Sequence, residues 1–442
     1  MPFLTVFVHQ SCGEGARYCR FEVEPLAATK SVTCILSRNL TAANQHDIMC
    51  GNFDETANKI LGGLYIFAGL LIRAICLLCM AQGLGASLEC NSSTALLLAT
   101  RFRSLGKKGR DSSSCPDEAW LPLMADADHK ERYIMVNVGY NKGYNFANWM
   151  QLFAPATHMT PSEWFRQIDE AKTSLPWEKA CGECIDCRVA FARTSRQTSA
   201  NLALFGVDLN EQNTHLLQSI MKNLNIKRVG SSRNISSTAA ADIGDQPNFD
   251  GVSMELHHAA VSDHDGHLAI KKCAPGEEKC AITPPEMWNI SVDVLRSQSD
   301  QYYQVRLMSV DSFAKEIFGK LREKHAVHPQ QPMDVDILMV DTEGNDPLVL
   351  KGSAHMLSHR LVRCVIFEYH FFGQWEFHKL EKVVQQFDKD GYDCFFQGQK
   401  RLWAISNSCW HPLFEFHGWS NVMCLRRGDV WLTAVERLVV TS

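Results

Sequence analysis

The stretch "VDILMVDTEGNDPLVLKGSA" at 335–354 constrains the fold more than any other. Its first half is a run of strand length and near-continuous apolar character. Such runs belong inside parallel sheets, whose strands are buried on both faces and joined by crossover connections. The run then breaks into Asp341, Glu343 and Gly344. Carboxylates at the end of a buried strand must face a cleft, pair, or accept hydrogen bonds, because bare burial of charge is prohibitive. In parallel sheets ligands bind outside the carboxyl ends of the strands, so Asp341 and Glu343 mark a candidate site.

From residue 121 onward the same grammar repeats. "YIMVNVG" (133–139), "LALFGVDLN" (202–210), "VSMELHHAAVSD" (252–263) and "LVRCVIFEYH" (361–370) read as further strands. Helical spacing follows several of them, as in "EQNTHLLQSIMKNLNI", where Leu216, Ile220 and Leu224 fall on one face. A helix is expected near 376–390, then "GYDCFFQG" and "SNVMCLRRGD" as a closing antiparallel pair. Strands alternating with helices predict an α/β, doubly wound sheet. Residues 154–200 and 273–300 fit this pattern poorly and read as insertions.

The chain has 442 residues, enough for one large domain and an appendage. Residues 1–120 read as an N-terminal extension and 121–442 as the main domain. A net charge of −5 gives no overall basic field for nucleic acid, and "RFRSLGKKGR" at 101–110 reads as a solvated linker. Residues 61–84 have the length of a membrane span, but Arg73 near their middle brings insertion close to balance. They read either as an uncleaved anchor or as a buried helix of the extension. Sequons at Asn39, Asn91, Asn234 and Asn289 suit the secretory pathway, whereas the basic cluster after the apolar segment would keep the C-terminal part in the cytoplasm. Localisation is therefore open between an anchored secretory-pathway protein and a cytoplasmic one.

Several strand ends carry chemistry. In "NVGYNKGY" Gly139 and Gly143 allow a tight turn and close approach of backbone to a ligand. Asp208 can accept hydrogen bonds from two ribose hydroxyls, or it can cap the helix that starts at Glu211. Asp263 closes the third strand. For Asp341 and Glu343 the alternative to catalysis is structural, with Glu343 capping the next helix and Asp341 bonding backbone amides.

Together "VNVGYNKGYNF", "FGVDLNEQNTHLL", "HHAAVSDHDGHLAI" and "VDTEGNDPLVLKGS" followed by "VIFEYH" resemble the FkbM-type family of S-adenosylmethionine-dependent methyltransferases. The resemblance covers about 133–398 outside the insertions, and it implies a Rossmann-like, seven-stranded class I methyltransferase sheet. It also implies that Gly139, Asn141 and Gly143 wrap the methionine part of S-adenosylmethionine, that Asp208 holds the ribose, and that Ala260 and Asp263 lie near the adenine. The family usually has an acid where this chain has Asn137, and an amide cannot make the ionic contact of an acid with the cofactor's amino group. Asp341 is the expected base and Glu343 positions the acceptor, with Glu368 or His370 as a second candidate.

"CGECIDCR" places Cys181, Cys184 and Cys187 at metal-ligand spacing for structural zinc, with Cys115 or His158 as a fourth ligand. A disulfide or free thiols remain the alternative, while Phe191 stands where an iron–sulfur run needs another cysteine. "CAPGEEKC" at 273–280 can close a small disulfide loop. The expected function is methyl transfer to a hydroxyl oxygen of a glycan or small metabolite. The competing reading is a noncatalytic, membrane-tethered scaffold derived from such an enzyme.

Overall fold

The apolar runs become the inner strands of a nine-stranded sheet in the computed structural model. The structure describes residues 6–12, 18–25, 32–38, 46–50, 90–106, 119–171, 200–229, 249–277, 280, 301–325 and 333–440. The chain divides into two compact units, Met1–Gly83 and Leu84–Ser442. In the first, β1 (Val6–Cys12), β2 (Tyr18–Pro25), β3 (Val32–Arg38) and β4 (His46–Cys50) pair in sequence order as an antiparallel sheet.

The second unit opens with helix α1 (Ser92–Gly106), which belongs to its core. Asn91 Oδ1 accepts from Thr94 N at the helix start, Phe102 stacks on Phe396 at 4.6 Å, and a disulfide joins Cys90 to Cys409. Helix α1, expected within the N-terminal extension, thus packs with the second unit. Helix α2 (Trp120–Ala127) leads to β5 (Arg132–Val138) and α3 (Tyr144–Phe153). The described part of the first expected insertion forms α4 (Pro161–Ala171). Next come β6 (Asn201–Asp208), α5 (Glu211–Asn223), the two-residue β7 (Lys227–Arg228) and β8 (Val252–His258).

The expected third strand breaks at Ala259. Its last residues form β9 (Ala260–Ser262), which leaves the main sheet to pair parallel with β11 (Tyr302–Ser309), itself antiparallel to β10 (Gly266–Lys271). Helix α6 (Val310–His325) returns to β12 (Val335–Val340). The helix expected after it is divided into α7 (Asp346–Lys351) and α8 (Ala354–Ser358) around Gly352. There a Cβ would lie 2.1 Å from the carbonyl oxygen of Ser262, so only glycine lets the helices approach β9. The chain ends with β13 (Val362–Tyr369), α9 (Leu380–Lys389), β14 (Tyr392–Gly398), β15 (Arg401–Ala404), β16 (Ser420–Arg426) and α10 (Val430–Val435).

The sheet order is β15-β14-β16-β13-β12-β5-β6-β8-β7. Strands β13, β12, β5, β6, β8 and β7 are parallel, and β16 lies antiparallel between β13 and β14 as the closing pair predicts. Seven strands were expected; β7 at one edge and β15, the outer strand of the β14–β15 hairpin, at the other bring the count to nine. Numbered along the chain, the five long parallel strands run 3-2-1-4-5, so the order reverses between β5 and β12. A crevice forms at such a switch point, outside the carboxyl ends.

Strand side chains alternate between two cores. Val136, Val138, Val207 and Val340 face one, shared with α6 and α9, while Met135, Leu204, Ile337 and Ile366 face the other with α3 and α5. Each fully buried aliphatic side chain contributes about 1.5–3 kcal/mol. Asp336, the one charge inside the β12 run, is buried and accepts from Arg363 Nη1 at 2.9 Å, Lys130 Nζ at 2.6 Å and Ile134 N at 2.8 Å. Arg363 also forks onto Asp429, reaches Asp128, and lies 3.9 Å from the Trp431 ring.

The membrane association expected from the sequence is corrected: among the described residues no helix is long and apolar enough to cross a membrane. The segment 61–84 on which it rested lies outside the described residues, and the association is not carried forward. Cys181, Cys184, Cys187 and Cys115 also lie outside them, and among the described residues no group of His, Cys, Asp and Glu is arranged to hold a metal.

Candidate functional site

The loop after β5 approaches the end of β12 so closely that a Cβ on Gly139 would sit 1.7 Å from the carbonyl oxygen of Asp341. Gly139 N donates to Val207 O at 2.8 Å and Asp341 N to Val138 O at 2.9 Å, which ties three strand ends together. Tyr140 inserts its ring over β6, where Gly206 leaves room for it, and its hydroxyl meets Thr214 Oγ1 at 2.7 Å. Trp164 Nε1 of α4 donates to Lys142 O at 2.7 Å, so the described part of the insertion holds the same loop from outside.

These ties frame an open cleft. Of the residues singled out from the sequence, Gly139, Asn141, Asp208, Ala260, Asp341 and Glu343 line it. They come from four strand ends. Val138, Leu209, Asn213, Glu277, Cys280 and Thr342 also line it. Its charged lining residues, Asp208, Glu277, Asp341 and Glu343, are all acidic.

Asp208 does not cap α5 as the alternative reading had it; Asn210 does, with its side chain accepting from Gln212 N at 3.1 Å. The Asp208 carboxylate instead accepts from Asn141 N and Asn210 N, each at 2.7 Å, and from Asn213 Nδ2 at 3.5 Å. Burial pushes its pKa up to about 7 against these amides, and the Asp341 charge adds to the rise. Asn141 has left-handed backbone (φ 45°), and its Oδ1 is buried with no hydrogen-bond partner.

Five expected residues, Asn137, Gly143, Asp263, Glu368 and His370, lie away from the cleft wall. Asn137 is fully buried in β5, one residue before Val138, with both side-chain polar atoms unpartnered. Gly143 starts α3, and a Cβ there would lie 2.8 Å from Leu217 and 3.1 Å from Trp164, so its role is close packing. Asp263 pairs with Lys351 and His264, both at 2.7 Å; partial burial opposes these contacts, which still hold its carboxyl below the usual range. His370 lies behind the turn after β12, where a Cβ on Gly344 would be 3.2 Å from its Cε1.

That turn has its own organiser, unforeseen from the sequence. Asp346 accepts from Thr342 Oγ1 and Gly344 N at 3.2 Å and from Glu368 N at 3.4 Å, and burial with the Asp341 charge pushes it up to about 7. Helix α7 has no side-chain cap at Asn345, so the capping role considered for Glu343 is not what orders this turn. Glu343 itself has left-handed backbone, φ 50°.

Glu368 and His370 lie side by side at the end of β13, with Nε2 3.7 Å from Oε2. Trp419 Nε1 donates to Glu368 Oε1, leaving Oε2 unpartnered. Burial, reinforced by Asp341, Asp346 and Glu343, pushes the Glu368 pKa well above the ordinary carboxyl range. His370 is pushed down to about 4 by burial and is neutral at physiological pH. Its Nδ1 accepts from Phe372 N at 3.3 Å, which places the ring proton on Nε2.

No known protein family, curated protein or solved structure matches this chain.

The site is therefore read from its own chemistry. A cleft with four carboxyl groups and no lysine or arginine among its described lining residues repels phosphate and attracts a cation or a set of hydroxyls. Glu277 and Cys280 were missed as site residues. Their disulfide spacing was legible, and Cys273 and Cys280 are bonded, but nothing local to the loop says which cleft it joins.

Proposed function

We propose that this chain is an S-adenosylmethionine-dependent methyltransferase, with a Rossmann-like methyltransferase sheet, that acts on a hydroxyl oxygen. The observation that carries the reading is the cleft: residues from four separate motifs of the FkbM-type resemblance line one acidic crevice at the switch point. The donor set fits the cofactor. The unpartnered Asn141 Oδ1 and the carboxylates suit ammonium and sulfonium charge, and the remaining acceptor capacity of Asp208 suits ribose hydroxyls. A nucleotide carrying phosphates would meet four acids instead.

When bound, S-adenosylmethionine supplies an electrophilic methyl group on a sulfonium. The chain's share is to orient an acceptor hydroxyl and take its proton. Asp341 is the base in this reading, and Glu343, held on strained backbone beside it, positions the hydroxyl. Burial favours the protonated form of Glu368 and the neutral form of His370, and neither lines the cleft, so Asp341 is preferred over them as the base. A noncatalytic scaffold has less support, because Asp208, Asp341 and Glu343 all reach the cleft.

The test is transfer of a labelled methyl group from S-adenosylmethionine to a panel of hydroxylated small molecules and glycans. Asp341→Asn should reduce transfer by about 10²–10⁴-fold, the usual worth of a general base, without loss of fold. Transfer undiminished in Asp341→Asn would remove Asp341 from the role.

A further inference from the structure

The loop closed by the Cys273–Cys280 disulfide touches the cleft twice over. Glu277 and Cys280 line it, and the loop backbone grips the two asparagines that in turn hold Asp208. Gly276 N donates to Asn213 Oδ1 at 3.1 Å, and Asn210 Nδ2 donates to Ala274 O at 2.9 Å. From the other side of those residues, Asn210 N and Asn213 Nδ2 donate to Asp208 Oδ1. Ala274 N donates to Glu277 Oε2 at 2.7 Å, so the loop is also braced internally. Asn213 is nearly fully buried and shares its two amide atoms between the loop and the acid.

We propose that the Cys273–Cys280 disulfide loop is a positioning element of the ligand site, which fixes the Asp208 carboxylate through Asn210 and Asn213 and supplies one wall of the cleft. The chemistry is a relay of neutral hydrogen bonds. A short covalent loop limits how far Ala274 and Gly276 can drift, and each asparagine then has one partner on the loop and one on the acid. Removing the covalent closure frees the loop and lets the side-chain amides of Asn210 and Asn213 turn to water, which takes away the Asn213 bond and leaves Asp208 with the backbone N–H groups of Asn141 and Asn210.

The consequence extends to protonation. Asp208 is faced by Asn141, Asn210 and Asn213, while the titratable groups around it are Asp341 at the end of β12, Tyr140 in the glycine loop and Tyr303 on β11. Glu277 and Glu343 share its cleft, and His258 Nε2 lies 3.0 Å from the adjoining Leu209 O. Amide hydrogen bonds favour the charged form, so losing the one from the Asn213 side chain moves the titration of Asp208 to higher pH.

The experiment compares the full oxidised chain with a Cys273→Ser, Cys280→Ser double variant, which retains the Cys90–Cys409 and Cys394–Cys424 disulfides. Amide hydrogen exchange is read at Gly276 and Asn210, with β12 amides as the control for global fold. Faster exchange, about tenfold, at Gly276 and Asn210 with β12 unchanged is expected. Equal exchange in the two proteins overturns the proposal, whatever ligand the cleft takes. The second arm rests on the cofactor reading: S-adenosylmethionine is titrated from pH 6 to 9. Affinity is expected to fall about tenfold in the variant, with the midpoint of its pH dependence shifted upward. If the oxidised wild type does not bind, the cofactor reading fails while the exchange arm still decides the positioning role. If both proteins bind alike with the same midpoint, the positioning role fails and the cofactor reading stands.

Discussion

Asn141 and Glu343 line the same cleft with left-handed backbone, a conformation that costs a residue other than glycine about 1–3 kcal/mol. Asparagine enters this region more readily than glutamate does, so the strain is the greater at Glu343. Glu343→Gly should therefore raise stability by about 1 kcal/mol in urea unfolding while methyl transfer falls sharply. A variant destabilised by the change would show that the Glu343 side chain supports the turn instead. Protonation gives a second check. Asp208 and Asp346 each carry a pKa of about 7 in the fold against 3.8 for an ordinary aspartate. Each keeps its proton where the unfolded chain has lost it. The stability this confers is complete below about pH 4 and is lost as pH rises through about 7. Asp346→Asn should make urea stability fall less steeply between pH 4.5 and 7.5, by up to one proton per molecule; an unchanged slope would mean that Asp346 is ionised in the fold.

At the scale of elements, the buried arginine under the sheet binds α2, β12, β13 and α10. Arg363→Met removes one of the two cationic partners of Asp336 and of Asp429, leaving Lys130 and Arg426, and takes away the cation over Trp431. Removing one partner of a buried ion-pair network costs up to about 3–5 kcal/mol, which chemical denaturation would register; a loss below about 1 kcal/mol would show that Lys130, Arg426 or water compensates the two carboxylates. This network explains an oddity of the opening motif, since Asp336 interrupts an otherwise apolar strand that periodicity alone marks correctly. The strands at 133–139, 202–210 and 335–341 were legible because burial on both faces leaves an uninterrupted apolar run. The break at Ala259 was not, because the continuous apolar pattern of "AAVS" is equally good for either sheet, and the choice is made by pairing with β11, about forty residues later in the chain. The division of the helix at Gly352 was hidden for the same reason: the need for glycine comes from Ser262, far away in sequence. At the site, residues on strand ends were legible from the motif order, whereas Asn213, Glu277 and Cys280 reach the cleft only through tertiary packing.

For the molecule as a whole, three disulfides join described residues: Cys90–Cys409, Cys273–Cys280 and Cys394–Cys424. Such bonds form and persist in oxidising surroundings, so protein folded under oxidising conditions should yield all three in peptide mapping without reductant. The first spans 319 residues of sequence and ties the start of α1 to the turn between β15 and β16; its loss through Cys90→Ser should cost about 2–4 kcal/mol. Mapping that finds Cys90 and Cys409 as free thiols in oxidised, folded protein would detach α1 from the account. The central claim is that the acidic cleft at the switch point holds S-adenosylmethionine. Calorimetric titration of S-adenosylmethionine into the purified full chain, beside Asp208→Ala of matched thermal stability, tests it most directly. The account predicts saturable one-to-one binding by the wild type that is lost or weakened at least about tenfold in the variant. A folded wild type that takes up no S-adenosylmethionine, or a variant that binds it equally well, would contradict it.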